Sequence, residues 1–125
     1  MIIGIGTDIV QISRIEQIFN KYGFAFLKRI LHPVEIIKVD LLPIPEKINF
    51  LAKRFAGKEA ISKAIGTGIA SGLEFKDIII NNDQFGKPYV DASYMKFKVK
   101  EDNFKIHISL ADDYPSAIAF AVIST

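Results

Sequence analysis

The segment Arg54-Phe-Ala-Gly-Lys-Glu-Ala60 sets a carboxylate between cations, and a second carboxylate, Asp8, follows the apolar run Ile2 to Ile5. If residues 48–65 are helical, an apolar stripe runs through Ile48, Leu51, Ala52 and Phe55, and the next place on it is Glu59, with Ser62 beyond. An acid stands where a core residue is due. Lys58 and Lys63 flank that acid and Arg54 lies one turn before Lys58, so the carboxylate sits inside a ring of positive charge. Such a ring suits a divalent metal and a polyphosphate together. The other reading of the same residues is a solvated helix face on which Glu59 pairs with Lys63 at i+4. Asp8 and Glu59 are far apart in sequence, and only the fold can bring them together. If it does, two hard oxygen ligands favour Mg²⁺, which takes one or two protein carboxylates and completes its sphere with water and substrate phosphate oxygens. For Asp8 the alternative is a turn aspartate capping the loop at Thr7.

These residues need elements to position them. Ile2 to Ile5 reads as a buried strand with Asp8 at its exit, and Ser13 with Glu16 three residues on predicts a capping box for a helix carrying Ile15, Ile18 and Phe19. A short helix is expected around Pro33 to Asp40, then a break at Leu42-Pro-Ile-Pro45, then a long helix over about Glu46 to Ile65 that stops at Gly66. Gly66-Thr67-Gly68 tolerates positive φ and leaves no Cβ in a ligand's way, although a plain helix C-cap explains Gly66 fully. The period then changes. Phe75 to Ile80 and Lys87 to Val90 flank a polar connection that ends in Gly86-Lys87-Pro88, and Phe104 to Leu110 and Ala117 to Ile123 flank a second one, which predicts two hairpins. His107 and Ser109 alternate with Ile106, Ile108 and Leu110 and so project from the opposite face of their strand. Residues 93–103, rich in lysine, settle on no period and read as a weak helix or an extended loop. Segregated helices and hairpins give an α+β fold in one domain covering residues 1–125.

Composition narrows the function classes. A chain of 125 residues, half of them hydrophobic, builds one core without staples. No cysteine is present, which excludes disulfides, thiolate metal sites and cysteine nucleophiles. The formal charge of +2 is too small to argue for nucleic acid. The start has no basic leader, and the longest apolar stretch, Ala117 to Ile123, is too short to span a bilayer, so no membrane association and a cytoplasmic location are the expectations.

Taken in order, Gly4-Ile-Gly-Thr-Asp-Ile-Val10, Arg54-Phe-Ala-Gly-Lys-Glu-Ala60, Gly66-Thr-Gly68, Gly86-Lys-Pro88 and His107-Ile-Ser109 resemble the holo-acyl-carrier-protein synthases, the group I 4′-phosphopantetheinyl transferases, and the resemblance runs from Gly4 to Val122. It implies an α+β fold in which an antiparallel or mixed sheet wraps a long central helix, assembled as a homotrimer. It also implies transfer of 4′-phosphopantetheine from coenzyme A to a serine of apo-acyl carrier protein, with release of adenosine 3′,5′-bisphosphate and dependence on Mg²⁺. Asp8 and Glu59 then match metal ligands, with Lys63 supporting catalysis at the pyrophosphate. Arg54 is matched to the 3′-phosphate, and Lys58, Gly66, Thr67, Gly68, Lys87, Pro88, His107 and Ser109 to other parts of coenzyme A. Some relatives have a second histidine after the His-x-Ser triplet; this chain has Leu110-Ala-Asp-Asp113, so a mechanism with that histidine as base does not apply.

Acyl carrier proteins are acidic, and Arg14 with Ile18 and Lys21 on neighbouring turns, extended by Lys28 and Arg29, would suit an acidic helix; ordinary surface cations over a core-facing Ile15 and Phe19 are the alternative. A trimer has its own motive in the sequence, because Ala117 to Ile123 is apolar on both faces. In such an assembly Glu59 and the clamp are expected from one subunit and Asp8 or the nucleotide-edge residues from another. Two competing readings are a non-catalytic coenzyme A or nucleotide binding protein, which gains nothing from paired carboxylates unless a metal lies between them, and a structural oligomer module, which leaves the clustered charges unexplained.

Overall fold

The computed structural model describes residues 1–69, 73–95 and 103–125. Strand β1 (Ile2–Gln11) leads through helices α1 (Ile12–Tyr22), α2 (Phe24–Ile30) and α3 (Pro33–Asp40) to the long helix α4 (Ile44–Ile65). A 3-10 turn at Phe75–Asp77 precedes the hairpin of β2 (Ile79–Asn82) and β3 (Pro88–Asp91), and β4 (Lys105–Asp113) and β5 (Ser116–Ser124) form a second hairpin. Both sheets are antiparallel: a three-stranded one in the order β1-β5-β4, and the separate β2-β3 pair. Of residues 93–103, most lie outside the described segments. Among the described residues, no helix is long and apolar enough to cross a membrane.

Helix α4 lies against the inner face of the three-stranded sheet, and small residues let it come close. Ala52, Ala56, Ala60 and Ala64 recur every fourth residue along α4 and are buried, as are Ala117, Ala119 and Ala121 on the facing side of β5. In β1 the inward positions nearest the helix are Gly4 and Gly6. A Cβ on Gly4 would overlap the carbonyl oxygen of Ala64, and one on Gly6 that of Ala60. Glycine is required there because helix backbone rests on strand backbone. The apolar stripe predicted through Phe55 and Glu59 is therefore not the helix's main core face. Those two residues are half-buried at its edge, while Ile48, Leu51, Ile61 and the alanines occupy the centre.

Several boundaries depart from the sequence reading. β1 continues past Ile5 to Gln11 because β5 pairs with it over the whole length, so Asp8 lies within the strand and not at its exit. Helix α1 begins at Ile12 with Gln11 as N-cap and no side-chain cap bond, so Ser13 and Glu16 form no capping box. A capping box is found at α3 instead: His32 Nδ1 accepts from the Val34 amide, Glu35 Oε1 accepts from the His32 amide, and Pro33 fills the first helical position. Helix α2 was not foreseen; Gly23, at φ +53°, separates it from α1. Helix α4 ends as expected, with Gly66 in the left-handed region at φ +96° and the amides of Gly66 and Gly68 returning to the Ser62 carbonyl.

Opposite α4, the sheet's outer face carries Ile5, Ile9, Ile118 and Phe120, with Ile9 66 % and Phe120 44 % exposed. The two-faced apolar character read in Ala117 to Ile123 is thus real: one face is buried under α4, the other faces out.

Candidate functional site

Residues of β1 alternate, so Asp8 follows Gly4 and Gly6 on the inner face. Its side chain is 16 % exposed, and Lys63 Nζ lies 3.0 Å from its Oδ1. The same ammonium donates to the Thr7 carbonyl at 3.1 Å. Glu59 stands one turn before Lys63 on α4. Its carboxyl is held above the ordinary carboxylate range, first by partial burial and then by the negative charge of Asp8, with Lys63 working in the other direction. Two carboxylates and one ammonium from a single chain thus converge. The expectation that Asp8 would join Glu59 from a neighbouring subunit is corrected: β1 lies on α4 of its own chain, backbone to backbone.

This donor set fits Mg²⁺. Among the described residues no group of three or more acids or histidines gathers anywhere, so a cage of protein ligands is not on offer. Two hard oxygens that leave room for water and phosphate are what Mg²⁺ accepts. Burial and, after it, repulsion from Asp8 disfavour the Glu59 carboxylate, and a cation between the two carboxylates would relieve the repulsion, as the Lys63 ammonium does in part. With a side chain 52 % exposed, Lys63 has freedom to turn toward an incoming phosphate.

Lys58 does not belong to this cluster, which corrects its place in the phosphate clamp. It projects from another face of α4, is fully buried, and its Nζ lies 2.6 Å from Glu35 Oε1 and 2.7 Å from the Ile30 carbonyl oxygen. Glu35 in turn accepts from the amides of His32 and Ile80, so the pair fastens the end of α2, the start of α3, α4 and β2 to one another. Burial lowers the Lys58 ammonium to about 8, against the opposing pull of Glu35. Its charge is spent on Glu35 inside the protein and is not left for a phosphate.

Arg54 is 3 % exposed and faces the β2–β3 hairpin. Its Nη2 donates to Asn82 Oδ1, its guanidinium carbon stacks 4.2 Å from the centre of the Phe50 ring, and burial lowers it to about 10. Arg54 is therefore grouped with Gly86, Lys87 and Pro88, which that hairpin carries, and set apart from Glu59. Lys87 offers only its side chain, because its amide donates to Asp83 Oδ1 at 2.9 Å. Thr67 is exposed at the end of α4, where its hydroxyl donates to the Gly68 carbonyl. His107 and Ser109 occupy the outer face, in register with Val122 and Phe120, and His107 Nε2 is 3.0 Å from Ser124 Oγ. Strand alternation places them across the sheet from Asp8.

A cleft of about 470 Å³ opens between α1, α2 and α4, and Glu59 lies in its wall beside Arg14, Ile18, Tyr22, Arg29 and Phe55. Phe55 stacks on Phe75 at 5.3 Å between ring centroids, forming an aromatic side. Three of the five residues expected to meet a carrier, Arg14, Ile18 and Arg29, share this cleft with Glu59; Lys21 lies beside it, 5.3 Å over the ring of Tyr22, and Lys28 lies outside it, 5.9 Å over the ring of Phe24. Sequence reasoning did not find Tyr22, Phe75, Asn82 or Glu35. Only Glu35 left a signal, as the fourth residue of His32-Pro-Val-Glu35.

Residues 4–119 match the 4′-phosphopantetheinyl transferase superfamily. Holo-[acyl-carrier-protein] synthase of Orientia tsutsugamushi (strain Ikeda) is 54 % identical, over 99 % of this chain and 98 % of that protein. Among solved structures, holo-[acyl-carrier-protein] synthase (AcpS) from Neisseria meningitidis superposes with a TM-score of 0.90 at 39 % identity, each chain covered in full. The Bacillus anthracis str. Ames synthase, in complex with CoA (3′,5′-ADP), superposes with a TM-score of 0.85 at 36 % identity over 98 % of this chain and 96 % of that one.

Proposed function

The chain belongs to the 4′-phosphopantetheinyl transferase superfamily, and from that premise we propose how its residues share the reaction. The enzyme transfers 4′-phosphopantetheine from coenzyme A to a serine of apo-acyl carrier protein and releases adenosine 3′,5′-bisphosphate. The serine oxygen bonds to the β-phosphorus as the bond from that phosphorus to the bridging oxygen breaks, and the bridging oxygen departs on the nucleotide. Asp8 and Glu59 are our metal ligands, and Mg²⁺ held by them would neutralise charge on the pyrophosphate oxygens.

The chain's own residues do the rest. Lys63 turns from Asp8 toward the pyrophosphate and offsets the charge that builds on it. Arg54 serves the 3′-phosphate, and Gly66, Thr67, Gly68, Lys87, Pro88, His107 and Ser109 line the path of the nucleotide. Arg14, Ile18, Lys21 and Arg29 dock an acidic carrier helix over the cleft, so its serine enters at the end where Glu59 sits. The serine proton leaves to Glu59 or to water beside it. A cytoplasmic location and a role in fatty acid biosynthesis belong to the same reading. The observation that carries it is the convergence of Asp8, Glu59 and Lys63 beside a cation-rimmed cleft. Incubation with coenzyme A, Mg²⁺ and apo-carrier should add the mass of phosphopantetheine to the carrier, and chelation of Mg²⁺ should stop it. A carrier of unchanged mass with Mg²⁺ present overturns the reading.

We further infer that the active unit is a homotrimer, in which each sheet wraps its own long helix and turns its outer face to a neighbour. Two observations support this: that face exposes Ile5, Ile9, Ile118 and Phe120, and the residues assigned to coenzyme A are spread over faces that one ligand cannot touch in a single chain. Mixing Glu59→Gln chains with His107→Ala chains should restore a fraction of the sites. Sedimentation of a fully active monomer defeats the trimer.

A further inference from the structure

Among the described residues, no carboxylate lies within ion-pair distance of Arg54, and its Nε is the buried polar side-chain atom with no hydrogen-bond partner. Buried guanidinium groups are normally paired, so this one is an unfinished anion site. What holds it ready is a stack and a single amide. The Phe50 ring beneath the guanidinium carbon supports the cation but does not set where its N–H groups point. Asn82 sets that direction by accepting from Nη2.

The other end of the same amide is also committed. Asn82 Nδ2 donates to the Gly86 carbonyl at 2.9 Å. Arginine only donates and a carbonyl only accepts, so the amide has one orientation that satisfies both neighbours. Within the turn, Asp83 Oδ1 takes the amides of Phe85 and Lys87, and the Gly86 amide donates to the Asp83 carbonyl. The turn is rigid in itself, and Asn82 is the side chain that registers it against Arg54.

We propose that Asn82 is a positioning residue for recognition of the 3′-phosphate of coenzyme A: it aims the Arg54 guanidinium and locks the Gly86-Lys87-Pro88 turn in register with it. This rests on the reading of Arg54 as the 3′-phosphate contact. Asn82 touches no substrate atom; it acts through the cation and the turn. An acidic residue at the same place would hold the arginine equally well but cancel its charge, whereas a neutral acceptor leaves the charge for the ligand.

The test compares coenzyme A with 3′-dephospho-coenzyme A as cosubstrates of the full chain, with Mg²⁺ and apo-acyl carrier protein. Wild type should prefer coenzyme A. Asn82→Ala should raise KM for coenzyme A about tenfold, the loss of one hydrogen bond to a charged group, and raise KM for the dephospho compound, which shares the turn but not the 3′-phosphate, several-fold less. Asn82→Asp, isosteric and still able to accept from Arg54, should do more damage by neutralising it, and decides the matter if the alanine variant folds poorly. Asn82→Ala combined with Arg54→Ala should be no worse than Arg54→Ala alone. An equal rise in KM for both cosubstrates makes Asn82 a general brace and overturns the proposal. So does unchanged discrimination in both Asn82 variants while wild type discriminates, which leaves the Arg54 reading standing. If wild type does not distinguish the two compounds, the Arg54 reading falls and this inference falls with it.

Discussion

Lys58 and Lys63 sit little more than one turn apart on α4, with the same charge and opposite surroundings. The Lys58 side chain is 0 % exposed and locked to Glu35, while that of Lys63 is 52 % exposed and reaches Asp8 across a short gap. Glu59 goes with the second, while Arg54 lies on the first flank but, unlike Lys58, is paired with no carboxylate among the described residues. One helix thus uses a single run of charges for two jobs: one flank fastens α2, α3 and the β2–β3 hairpin, and the other faces a cleft with charge left to spend on a ligand. Charge in a motif is therefore no guide to its use until the facing element is known.

Breaking the fastened flank should give the largest effect. Lys58→Ala leaves the Glu35 carboxylate buried and unpaired, and we expect a loss of about 3–5 kcal/mol in urea unfolding. A change below 1 kcal/mol would mean that water reaches Glu35. On the open flank the fold should survive and the chemistry should not. Glu59→Gln and Asp8→Asn are each expected to cut transfer by about a thousandfold with native circular dichroism; near-normal turnover at low Mg²⁺ in either variant removes the two-carboxylate site. Lys63→Ala should lower kcat by roughly a hundredfold, because its charge matters most as the phosphoryl group transfers. If only KM changes, Lys63 binds coenzyme A without favouring the transition state.

Smaller effects sharpen the contrast. Arg14→Glu should raise KM for the carrier about tenfold and flatten its salt dependence, without altering affinity for coenzyme A. An unchanged KM takes Arg14 out of the interface. The mildest effect concerns Glu59 and stability. Its folded-state pKa is raised above 4.5, so the folded state binds this proton more tightly than the unfolded one, and the cost of ionising it is absent below that value and complete above the raised one. Without divalent ions at pH 7, Glu59→Gln should therefore melt about 1–2 °C above wild type, and the difference should vanish near pH 4. Adding Mg²⁺ should raise the melting point of wild type alone. A variant that melts lower at pH 7 would contradict the direction of the shift.

The open flank was legible in the sequence and the fastened one was not. Glu59 stood out because it interrupts an apolar period, and Asp8 because it follows an apolar run; both signals are local. The burial of Lys58 depends on Glu35, a residue on another helix, and no periodicity within α4 reports a partner elsewhere. The Arg54–Asn82 contact escaped for the same reason. Helix α3, the end of α4 at Gly66 and both hairpins were readable from proline, glycine and alternation. Helix α2 was missed because Gly23 reads as a stop and the seven residues of Phe24–Ile30 are too few to display a period. The length of β1 was missed because its extent is set by pairing with β5, a long-range fact. The alanine face of α4 was hidden because alanine is weakly hydrophobic, and what buries it is the nearness of Gly4 and Gly6.

That nearness has a consequence for redesign. The gap between Asp8 and Glu59 is fixed by peptide resting on peptide where β1 crosses α4, a ruler with no adjustable side chain in it. The cations proposed to meet the carrier sit on α1 and α2, which lie outside that crossing. Carrier preference is therefore open to remodelling on those two helices with the carboxylates left in place, whereas one residue inserted in β1 between Gly6 and Asp8 would turn Asp8 to the far side of the sheet and silence the enzyme without unfolding it.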